Sequence, residues 1–117
     1  MSRPLKRASY LANRIYHWTM EIRIQYFDGC PNWKDAQEAL SRLAPDAHIT
    51  LQAVETSEEA QRVGFRGSPT ILVDGTDPWA DMNAPVGLSC RVFQTETGLA
   101  GLPSKTQLEQ ALLPYLL

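Results

Sequence analysis

The sequence predicts a single α/β domain with a mixed four-stranded sheet flanked by helices, in the order β-α-β, short α, β-β, α. Three observations carry this. Residues 21–54 read as strand, helix and strand with tight connections; two further strand-like runs, 68–75 and 89–95, are separated by a polar loop; and a capped apolar segment closes the chain. At 117 residues, 44% of them apolar and 21% charged, the chain has the length of one domain and the composition of a soluble globular protein.

In EIRIQYF (21–27), Ile22, Ile24 and Tyr26 alternate with Arg23 and Gln25, the period of a strand. Asp28-Gly29 ends it. Pro31 suits the first turn of a helix, where its missing N–H costs nothing. Trp33, Ala36, Leu40 and Leu43 then recur at spacings of 3, 4 and 3, an apolar stripe of helical period. Ala44-Pro45 stops that helix, and HITLQAV (48–54) is a second strand. Such a unit with short connections is a right-handed parallel βαβ.

Thr56 with Glu59 has capping-box form and opens a short helix that closes near Gly64. SPTILVDG (68–75) is the third strand, bounded by Ser68-Pro69 and Asp74-Gly75. After the loop TDPWADMNAPVG (76–87), in which Trp79 is a candidate anchor, SCRVFQT (89–95) is expected to return antiparallel to the third strand. Ser104 with Gln107 caps a last helix carrying Leu108, Ala111 and Leu112. One detail resists the pattern. A central strand in such a sheet should be nearly continuously apolar, yet Arg23 and Gln25 interrupt the first one. One sheet face is therefore expected to be only partly covered by the helices, with the aromatic leader (Tyr10, Tyr16, Trp18) or a partner subunit completing it.

The net charge of −2 is uneven: residues 1–20 carry Arg3, Lys6, Arg7 and Arg14 and no acid (+4), leaving 7 basic against 13 acidic residues (−6) in 21–117. A core of that sign is not a nucleic-acid binder. Residues 1–20 are read as a flexible basic extension and 21–117 as the domain, with Met20 a candidate true start. The leader lacks the apolar run of a secretion signal, and no stretch reaches the roughly 18–20 apolar residues of a membrane span. Two cysteines are too few for a disulfide scaffold, which points to a reducing cytoplasm. His17 and His48 stand at no zinc-ligand spacing, and Asp74, Asp77 and Asp81 lack the pattern of a calcium loop. No metal and no resident cofactor are expected.

DGCPNW (28–33) and GFRGSPTILVDG (64–75), in this element order, resemble the thioredoxin-like superfamily over roughly residues 21–115, and within it small bacterial members. The resemblance implies a thioredoxin-like fold with Cys30 as the active-site thiol and a cis peptide bond before Pro69. It also implies that Ser68, through its backbone N–H and C=O, with Pro69 and Thr70 beside it, receives an extended substrate next to Cys30. The chain departs from the dithiol members at one place. Their Cys-x-x-Cys is Cys30-Pro31-Asn32-Trp33 here, so no resolving thiol stands one helical turn away. Pro31 and Trp33 are read as supports for the site, Trp33 packing with the apolar stripe.

Cys30 at a helix N-terminus faces unpaired N–H groups and the positive end of the helix dipole, which favour thiolate; a close Asp28 carboxylate would oppose this. In an antiparallel hairpin Cys90 would lie about five residues from the active-site edge, roughly 17 Å away, whereas a disulfide needs Cα atoms within about 7 Å. Cys90 is accordingly expected to be a small buried apolar residue.

Cys30 is then a monothiol nucleophile acting on a protein or small thiol or disulfide, its mixed disulfide resolved by an external thiol such as glutathione. Two other functions fit the same residues. One is a non-catalytic protein-binding module with a vestigial or inert Cys30. The other is thiolate capture of a soft metal such as mercury, which requires Cys90 close to Cys30.

Overall fold

The computed structural model describes residues 19–116; the basic leader, with Tyr10, Tyr16, Trp18 and His17, lies outside the described residues. The described chain runs β1 (Glu21–Tyr26), α1 (Asn32–Leu43), β2 (His48–Ala53), α2 (Ser57–Val63), β3 (Thr70–Val73), β4 (Phe93–Thr95), β5 (Gly98–Ala100) and α3 (Lys105–Leu116). It is a mixed α/β structure with two sheets. The larger has the order β2-β1-β3, with β2 parallel and β3 antiparallel to the central β1. The smaller is an antiparallel hairpin of β4 and β5.

The single four-stranded sheet expected from sequence therefore does not form, and SCRVFQT is not a strand against β3. The cause lies in the loop. β3 ends in a tight turn in which Val73 and Thr76 exchange backbone hydrogen bonds of 2.8 and 3.1 Å. The chain then travels back along the length of β3, and Gly87 donates to the Phe65 carbonyl at 3.0 Å, beside the start of β3. It turns a second time there, and so meets Ser68 running parallel and not antiparallel. Its remaining strand residues, Phe93–Thr95, pair with Gly98–Ala100 instead.

The main core fills the space between one sheet face and helices α1 and α3. Ile22 and Ile24 of β1, Ile71 and Val73 of β3, Ala36 and Leu40 of α1, and Leu108 and Leu112 of α3 are buried there, with Trp33, Leu43 and Trp79 packed against them. Met20 belongs to this core too, and its carbonyl accepts from His48 N–H at 2.8 Å. A smaller cluster of Val54, Ala60 and Phe65 joins α2 to the loop residues Val86 and Leu88.

Local rules account for the helix ends. Thr56 caps α2 through its hydroxyl, which accepts from Glu59 N–H at 3.0 Å, while the Glu59 carboxylate accepts from Glu55 N–H at 2.9 Å. Gly64, left-handed at φ 70°, closes the same helix. Ser104 and Gln107 cap α3 reciprocally at 2.9 and 3.1 Å. No described helix is long and apolar enough to cross a membrane.

The polar positions of β1 have separate explanations. Gln25 is buried, and its amide donates to Gln52 of β2 at 3.1 Å, so the central strand carries a satisfied polar pair. Arg23 is exposed, on the same face as Thr50 and Leu72. At the Gln25 end this face is approached by the α2 terminus and by loop residues Ala84 and Arg91; at the Arg23 end it is an open groove.

Candidate functional site

Cys30 occupies the step from β1 into α1. Its N–H donates to the Phe27 carbonyl at 2.9 Å, closing a turn over Asp28-Gly29, and Pro31 follows as the N-cap of α1. Pro31 and Asp28 are exposed, whereas Cys30 is fully buried. Two groups flank its sulfur: the Ser68 carbonyl oxygen and the Asn32 side-chain amide, each at 3.7 Å. A thiol at this point has the carbonyl as acceptor. A thiolate has the amide as donor, together with the unpaired N–H groups of the first helical turn.

The third neighbour overturns an expectation. Cys90 is disulfide-bonded to Cys30, with a Cα–Cα distance of 5.6 Å. It is neither remote nor buried: it is exposed at the surface. The roughly 17 Å separation assumed an antiparallel return along β3, and the long loop removes that premise. The 12 residues of 76–87 were the signal available in the sequence, since hairpin connections take 2–5 residues.

Backbone pairing holds Cys90 in place from both sides. Ser68 N–H donates to the Ser89 carbonyl at 2.7 Å, and Arg91 N–H donates to the Ser68 carbonyl at 2.8 Å. The two main-chain groups of Ser68 that an extended substrate was expected to use are thus taken by the residues on either side of Cys90. The Ser68–Pro69 peptide bond is cis, as the resemblance implied. Pro69 is fully buried, and the Thr70 hydroxyl donates to the Gly67 carbonyl at 2.8 Å. Gly67 has φ 120°, and a Cβ there would meet Arg91 backbone atoms at 3.1–3.2 Å. Only glycine allows segment 89–91 to lie this close.

Arg91 is the anchor of the segment. It is buried, pairs with Asp77 at 2.7 Å, donates to the Trp79 carbonyl and lies over the Phe93 ring at 4.6 Å. Trp79 meets Phe93 edge-on at 6.0 Å. A buried ion pair with its partners satisfied fixes geometry more than it adds stability, and here it fixes the loop that carries Cys90. Trp33 stacks on Tyr26 at 4.3 Å against the core. Among the described residues no group of three or more His, Cys, Asp or Glu is placed to hold a metal ion. No known family, no curated protein and no solved structure matches this chain.

Proposed function

We propose that this protein is a thiol–disulfide oxidoreductase with a thioredoxin-like arrangement, in which Cys30 and Cys90 are the reacting pair. The observation that carries it is the second cysteine beside the first, joined through the Ser68 strand. The expected monothiol cycle lacked an internal partner for Cys30; Cys90 supplies one, drawn from a loop in place of the next helical turn. The parallel β1-α1-β2 unit, the antiparallel β3 and a thiol at the start of α1 support the thioredoxin-like reading.

Reduction of the pair by two external thiols would break the Cys30–Cys90 bond and form a disulfide between those thiols; the reverse reaction would oxidise a partner. The test is turnover of a disulfide-bearing peptide with glutathione as reductant. Wild type is expected to accelerate it, and Cys30→Ser and Cys90→Ser are each expected to return it to the uncatalysed rate. Full activity in Cys90→Ser would restore the monothiol cycle through Cys30 alone. A second reading, capture of a soft metal, gains from the same proximity, because the reduced pair offers two adjacent thiolates. Stoichiometric Hg²⁺ uptake without peptide turnover would favour it.

A further inference from the structure

The two sulfurs of the pair are not equivalent. Cys30 is fully buried behind Ser68 and Asn32, whereas Cys90 is exposed. A groove of about 690 Å³ between the loop and the β4–β5 hairpin has Cys90 in its wall, and Cys30 does not line it. Its other walls include Trp79, Pro85 and Ser89, with the exposed apolar side chains of Val92 and Leu99.

Thiol–disulfide exchange needs the incoming thiolate to reach one sulfur, and it proceeds fastest when the other leaves as a stabilised thiolate. We propose that the outside thiol attacks Cys90, so that Cys90 carries the intermolecular mixed disulfide and Cys30 is the leaving group. This rests on the exchange reading above and assigns the two roles within it.

In the first step a partner thiolate forms a bond to Cys90 Sγ. The Cys30–Cys90 bond breaks and its electron pair passes to Cys30 Sγ, which departs as thiolate beside the Asn32 amide and the first turn of α1. In the second step another thiolate attacks the partner's sulfur. The partner–Cys90 bond breaks and Cys90 is released as thiolate, leaving the partner's two thiols joined as a disulfide. Two electrons have moved to the protein pair, which takes up protons to reach the dithiol. Oxidation of the pair follows the same bonds in reverse. The polarity is opposite to that expected from the sequence, in which Cys30 met the substrate.

The experiment uses the full oxidised chain with glutathione as the thiol, quenched at short times by acid and alkylated, and the adducts mapped by mass spectrometry. Glutathione is expected on Cys90 and the alkyl group on Cys30, in an excess of about tenfold or more, set by access. Glutathione on Cys30 with Cys90 alkylated, or an even split, overturns the assignment while leaving the exchange reading intact. An intact disulfide with no adduct at either position overturns both.

Discussion

Asn32 donates toward the Cys30 sulfur, with its amide at 3.7 Å, and it lies beside a neighbour with no side chain. A Cβ on Gly101 would collide with the Asn32 amide, so the bend that follows β5 leaves room for the group that faces the thiol. Donation to a thiolate lowers the thiol pKa, and a carboxylate in its place raises it. Asn32→Asp, measured by thiolate absorbance in the reduced Cys90→Ser variant, is expected to move the Cys30 thiol pKa upward. An unchanged or lowered value would contradict the role given to Asn32.

At this scale the sequence was legible wherever a residue acts on its own segment. Thr56, Gly64 and Ser104 end helices through bonds three or four residues away. Trp33 packs on the stripe that its spacing marks. Cys90 was illegible for the opposite reason: its partner is 60 residues away, and its position depends on the path of a loop.

Gly67 and the segment 89–91 show why the elements were harder to read than the residues. SCRVFQT has strand composition along its whole length, but only Phe93–Thr95 lies in a strand, and its partner, β5, is three residues of GLA that carry little strand signal. The part around Cys90 is instead held by two bonds to Ser68 and by the absence of a Gly67 side chain.

Gly67→Ala would force a φ of 120° and push against the Arg91 backbone at once. With strain of roughly 1–3 kcal/mol, it is expected to shift the Cys30–Cys90 equilibrium toward dithiol by about tenfold, since 1.4 kcal/mol is tenfold. Gly64→Ala is the control. It also sits at positive φ, but nothing lies within 4 Å of its Cβ, so it should lower stability and leave the disulfide equilibrium unmoved. Equal effects on that equilibrium from the two variants would contradict the close-approach account.

Across the whole molecule the Cys30–Cys90 bond ties the start of α1 to the loop after β3, closing a sequence separation of 60 residues. Loop-closure entropy assigns such a link about 4 kcal/mol, removed from the unfolded ensemble. Folding in turn holds the two thiols together through the Ser68 pairing and the Arg91–Asp77 anchor, so bond and fold reinforce each other. The α/β class and the element order through β3 were readable because they rest on periodicity and caps. The split into a three-stranded sheet and a hairpin was not, because strand pairing is decided by which distant backbone is free.

The measurement that bears most directly on the Cys30–Cys90 pair is a redox titration of the folded wild-type chain in glutathione buffers, counting alkylated cysteines by mass spectrometry and following folding by circular dichroism. A working exchange pair predicts that both thiols appear together in one two-electron transition while the chain remains folded. A disulfide that survives the most reducing buffer, and opens only when the chain is unfolded, would make the bond a structural link and contradict the proposed function.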